Sequence, residues 1–156
     1  MRKIFLDTNV IIDYLANRVP FGEEALQIFS LSSQQNRLCI SALSFTTIYY
    51  VLKKHREHNT LVDMLDSLCQ LVEILPTDES IIKSALDADI KDFEDAVQYN
   101  TALAGNATVI ITRNPKDFNK STVPIYTPSE FLQINNWFDH NDNTVLNESE
   151  IAYNKL

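Results

Sequence analysis

Short apolar runs alternate along this chain with segments of helical period, and no other feature narrows its fold as far. IFL at 4–6, RLCIS at 37–41, LVEIL at 71–75, TVIIT at 108–112 and VPIY at 123–126 suit buried strands and are too short for helices. Every residue from Thr108 to Thr112 is β-branched, and Asn114-Pro115 supplies a turn after it. Between the runs, Val10, Ile11, Tyr14 and Leu15 recur at helical spacing, as do Ala25, Ile28, Phe29 and, loosely, Leu31. ALSFTTIYYVLKKHREHN predicts a long helix whose basic end, Lys53, Lys54 and Arg56, complements its dipole. TLVDMLDSLCQ predicts another. Asp78 caps a helix running through Ala88, Asp92 caps one that Gly105 stops, and a last begins near Pro128. Strands separated by helices imply an α/β fold of three layers, α/β/α, around a central parallel sheet of about five short strands.

In such a sheet a ligand lies at the carboxyl ends of the strands, where the following helices begin. The triplet Asp7-Thr8-Asn9 falls at the first such end. Each of the three residue types can cap a helix, so capping alone could account for it. The acids elsewhere shift the balance towards chemistry. Asp92 and Asp95, three apart, open the helix that leads into TVIIT, and Thr112, Asn114 and Asp117 follow that strand. Singly, each has a plain structural explanation: a cap, a dipole partner, a turn residue, a solvated charge. Jointly they bring carboxylates to one rim, where they repel unless a cation neutralises them. Oxygen ligands with no Cys or His at ligand spacing point to Mg²⁺ or Mn²⁺ rather than zinc.

Composition excludes several alternatives. At 156 residues with a net charge of −8, the chain fits one domain and is too acidic to hold nucleic acid by broad phosphate neutralisation. A local basic patch is still compatible with that charge. Only two glycines are present, too few for a phosphate-cradling loop. No Gly-x-Ser-x-Gly elbow exists, and Asn9 stands where an Asp-based phosphatase needs its second acid. Cys39 and Cys69 lie in apolar segments and are expected in the core of a protein from a reducing cytoplasm. Asp7 interrupts the N-terminal apolar run too early for a signal peptide or membrane span.

FLDTNVIIDYL, LCISALSF, DFEDAVQYNTALAG and VIITRNPKDF together resemble the PIN domain, the nuclease fold of VapC-type toxins and related ribonucleases. The resemblance covers roughly residues 1–135. It implies a ribonuclease in which divalent ions activate water for cutting RNA. By the same resemblance Asp7 and Asp95 are the central metal ligands, Asp92 is a further acid, and Asp117, with Thr112 and Asn114, completes the wall. Asn9 orients the carboxylates. Arg113, at the rim, is the candidate for substrate phosphate, with Asp117 as its other candidate partner. One departure stands out: Thr47 occupies the position where the family carries a Glu, and a neutral hydroxyl weakens the second metal position. Asp92 and Glu94 are the acids placed to compensate. The resemblance further implies an antitoxin partner and a homodimer; a catalytically degenerate module that binds RNA or protein is the competing expectation.

His55, His58 and His140 form no recognisable catalytic set. The first two lie at the basic helix end, where Lys53, Lys54 and Arg56 could make a phosphate-contacting patch or an ordinary polar terminus. Phe45, Ile48, Tyr49 and Tyr50 are expected in the core or on a dimer face, and Trp137 and Phe138 pack the C-terminal segment down. The expected organisation is a nuclease-like domain over 1–138 and a polar extension over 139–156.

Overall fold

The computed structural model describes residues 1–118 and 121–135. Its centre is a five-stranded, wholly parallel sheet made of β1 (Arg2–Leu6), β2 (Asn36–Ser41), β3 (Glu73–Leu75), β4 (Val109–Ile111) and β5 (Ile125–Tyr126), in the order β3-β2-β1-β4-β5. The first strand is thus the middle one, with β2 and β3 laid outward on one side and β4 and β5 on the other.

Side chains alternate across the sheet, and each face collects its own helices. Ile4, Leu6, Leu38, Ile40, Val109 and Ile111 share one face. They pack beneath α1 (Thr8–Ala16), α2 (Gly22–Ser30), α3 (Ala42–Leu52), α4 (His58–Leu71) and a helix over 128–135. Phe5, Cys39 and Ile110 face the other way, against Ala102 of α6 (Phe93–Ala104), with α5 (Glu79–Leu86) packed on α6 through Ile81, Ala85, Ala96 and Val97. This is the expected three-layer fold. Gly105 ends α6 at an ordinary negative φ; a Cβ there would run into the Leu75 side chain, so its role is close approach rather than a left-handed turn.

Several expectations are corrected. The helix predicted over ALSFTTIYYVLKKHREHN ends at Leu52, because the five residues after it, Lys53 to Glu57, carry no apolar side chain that could hold another turn to the core. α4 starts afresh at His58, whose Nδ1 lies 2.9 Å from the Tyr49 hydroxyl, so His58 stands at a helix start and not at a basic helix end. Leu71 belongs to α4 and Val72 caps it, which shortens the third strand to Glu73–Leu75. α5 closes at Leu86 rather than Ala88. Cys39 is buried as expected, but Cys69 is exposed, since its neighbour Leu68 takes the inward position on α4. Ile48 is core, whereas Tyr50 is 61% exposed. Trp137, Phe138, His140 and the boundary at 138/139 lie outside the described residues. Among the described residues no helix is long and apolar enough to cross a membrane.

Candidate metal centre

Strand order reverses direction between β1 and β4, which makes their carboxyl ends the switch point of the sheet. Asp7 follows β1 and Thr112 follows β4, so the two residues face each other across that point. Asp7 also caps α1, in extended backbone conformation, its Oδ1 accepting from the Asn9 N–H at 3.4 Å. Capping and convergence turn out to be the same arrangement.

Asp7 is 2% exposed and its carboxylate is held from two sides. Thr112 Oγ1 donates to Oδ2 at 2.8 Å, and Gln98 Nε2 donates to Oδ1 at 2.9 Å. The Gln98 carbonyl accepts from the Thr8 N–H at 3.0 Å and the Thr8 hydroxyl at 3.1 Å; that hydroxyl lies 2.9 Å from Ser44 Oγ on α3. Asn114 N–H donates to Thr112 Oγ1 at 3.1 Å, so Asn114 supports the rim through its backbone. Gln98 and Ser44 were not singled out from the sequence. The signal for Gln98 was its position three residues after Asp95, on the same face of α6.

Asp95 and Glu94 lie close enough to feel the charge of this anchored carboxylate, and Asp92 and Asp117 lie close enough to act on Asp95. Asp92 caps α6, accepting from the N–H groups of Glu94 at 2.9 Å and Asp95 at 3.4 Å. Burial, then the negative charges of Asp7, Asp92, Asp117 and Glu94, push the Asp95 carboxyl up to about 7. Glu94 is pushed up as well, first by desolvation and next by Asp7, although much of its side chain stays open to solvent. Asp117 stands exposed on the 3-10 turn Pro115–Phe118, just past β4.

Among the described residues no three Asp, Glu, His or Cys side chains are grouped closely enough to hold a metal ion by themselves. The chemistry of the donors nonetheless suits a hard divalent cation. It is all oxygen and anionic, one member is buried and fixed, and its mutual repulsion is the kind a cation removes. Asp7 Oδ2 accepts only the Thr112 hydroxyl among the described residues and so retains a lone pair for a cation.

Arg113 and Asn9 are placed differently from expectation. The Asn9 side-chain oxygen accepts from Arg113 Nη2 at 3.2 Å, so only its backbone N–H steadies Asp7. Arg113 pairs not with Asp117 but with Asp13, its Nε 3.4 Å from Oδ2, while its guanidinium lies 4.8 Å from the centroid of the Phe21 ring. Asp13, almost fully buried, also pairs with Arg18 at 3.5 Å. Burial raises its pKa, Arg113 and Arg18 oppose that, and the charge of Asp7 adds to it. Thr47 is half-buried on α3, one turn beyond Ser44, and among the described residues no side-chain hydrogen bond joins it to the acids.

A PIN-domain family model matches residues 3–116. No curated protein matches the chain. Among solved structures, the chain is similar to VapBC2 from Rickettsia felis, bound to a promoter DNA fragment, at 16% identity and a TM-score of 0.66, with 80% of this chain and 98% of that one covered. It is also similar to a toxin–antitoxin complex from Klebsiella pneumoniae, at 27% identity and a TM-score of 0.59, covering 80% and 97%. A third is VapC20 of Mycobacterium tuberculosis, described as a toxin cleaving the sarcin–ricin loop, at 14% identity and a TM-score of 0.58, covering 69% and 86%.

Proposed function

Because this chain belongs to the PIN-domain family, we propose that it is an endoribonuclease dependent on Mg²⁺ or Mn²⁺ and the toxin of a toxin–antitoxin pair. The observation that carries this reading is the coupling of Asp95 to Asp7 at the switch point, where segments about 90 residues apart supply one anionic rim. A bound divalent ion would polarise the scissile phosphate and lower the pKa of its water, supplying hydroxide without a covalent intermediate.

The chain's own residues prepare that chemistry. Gln98, Thr112 and the Asn9 N–H hold Asp7 in one orientation, so a ligand carboxylate is fixed before anything binds. Asp95 and Asp117 are the further ligands, and Asp95 must release its proton to serve. Asp92 orders the first turn of α6 and adds negative charge beside them. Arg113 is pinned by Asp13 and Asn9 through Nε and Nη2, which leaves Nη1 for a substrate phosphate.

Support for an antitoxin partner comes from the Rickettsia and Klebsiella structures, which hold toxin and antitoxin together, and a homodimer follows from the same family reading. A second reading, a binding module without catalysis, is favoured by one observation: Thr47 stands where the family carries a Glu. Incubation of purified protein with RNA in Mn²⁺ or EDTA separates the two. The proposal expects cleavage that needs the metal and is lost in Asp7→Asn; cleavage indifferent to EDTA or to that substitution rejects the metal mechanism. Absence of both cleavage and ion binding leaves the module.

A further inference from the structure

Positive charge is scarce on this chain, with 13 Lys and Arg against 21 Asp and Glu. Yet Lys53, Lys54 and Arg56 fall within four residues, beside His55, in the exposed turn that follows α3. Among the described residues none of these three cations has a carboxylate partner within ion-pair distance; Lys53 Nζ instead lies 4.3 Å from the centroid of the exposed Tyr50 ring. Unpaired cations beside an exposed aromatic ring make a combination that binds a polyanion with stackable bases.

Of these residues Tyr50, Lys54 and His55 line a groove of about 360 Å³ between α1 and the end of α3, with Ile12, Ala16 and Arg18 on its other side, and Lys53 adjoins it in the chain. Arg18 connects it to the metal rim. Its guanidinium lies on one oxygen of Asp13 at 3.5 Å, and Arg113 lies on the other at 3.4 Å. One buried carboxylate thus holds two cations, leaving a net positive link from the acids, through Arg113 and Arg18, to Lys54 and Lys53.

We infer that this groove binds single-stranded RNA as an extension of the cleavage site, with Arg18, Lys53 and Lys54 contacting phosphates and Tyr50 offering its ring to a base. The inference rests on the ribonuclease reading for its placement of the scissile phosphate, but the groove's affinity for RNA does not require cleavage.

The test uses the full chain with fluorescent single-stranded RNA in EDTA, titrated at several salt concentrations. Combined Lys53→Glu and Lys54→Glu, both exposed positions, weaken binding about tenfold or more and lower the slope of log affinity against log salt by about 1.4, near 0.7 per lost phosphate contact. Tyr50→Ala weakens binding roughly fivefold or more with the slope unchanged, because stacking releases no counterions. In Mn²⁺ the charge-reversed protein shows a raised KM for long RNA and an unchanged kcat on a trinucleotide that spans only the rim. RNA binding and salt slope equal to wild type overturn the inference, whether or not cleavage occurs, and leave the basic face to an acidic protein partner. Failure of wild type to cut any RNA, with the binding losses as described, rejects the ribonuclease reading and retains the groove.

Discussion

Gln98 and Asp7, 91 residues apart in sequence, are joined by a buried hydrogen bond of 2.9 Å, while the other end of the same amide holds both the N–H and the hydroxyl of Thr8. One side chain thereby fixes the first acid and the helix start that presents it.

Replacing Gln98 with Ala strands the buried Thr8 N–H and leaves Asp7 Oδ1 with only the long bond from the Asn9 N–H. One unsatisfied buried group costs about 1–3 kcal/mol, so urea denaturation should show a loss in that range. Mn²⁺ affinity, read by calorimetry, should fall about 10–100-fold, as when a ligand's supporting partner is removed. Loss of stability with unchanged affinity would reduce Gln98 to a packing role.

Asp7→Asn and Asp95→Asn should both abolish metal-dependent cleavage, but their effects on the metal-free protein should differ. Asp95→Asn removes a group that its neighbours disfavour in charged form and raises the melting temperature in EDTA at pH 8. Wild type should gain melting temperature when Mn²⁺ is added, and neither variant should gain as much.

The sign of the pH dependence follows from Asp95, whose carboxyl is pushed from 3.8 up to about 7. The folded chain holds that proton more tightly than the unfolded chain. Stability from this group is therefore present below the unfolded value and is lost as pH rises towards about 7. Metal-free protein should melt higher at pH 5 than at pH 8. Cation binding needs the ionised form, so Mn²⁺ should narrow or reverse that order at pH 8, and cleavage should climb through neutral pH. Equal melting at both values without metal would contradict the placement of the acids.

Arg113→Ala leaves Asp13 buried with a weaker cation partner, since Arg18 is itself about half exposed. A cost of roughly 1–3 kcal/mol is expected in urea denaturation. Adding Asp13→Asn should recover part of it, because the stranded charge is then gone. A purely additive double mutant would show that the two residues are not coupled.

Much of this was legible beforehand because the controlling signals are local. The β-branched run before Thr112, the cap at Asp92 and the apolar spacing of α1 each reach no further than one element, and together they dictate a parallel sheet with its acids on one rim. What escaped depends on tertiary contacts. Asp13 looks like an ordinary polar position on α1 until Arg18 and Arg113 close on it from different segments. The long helix predicted past Leu52 fails because propensity without an apolar face cannot carry a helix into solvent. Cys69 and Leu68 are adjacent apolar residues, and only the rotation of α4 decides which one faces inward.

The middle strand of the sheet is the first, and the fourth lies directly beside it. Asp7 is made early, but its two side-chain anchors, Gln98 and Thr112, leave the ribosome only after some hundred further residues. A chain interrupted earlier carries the first carboxylate with no seat and no neighbouring acid. The seat of that carboxylate therefore exists only once both later segments have been made and have folded against β1.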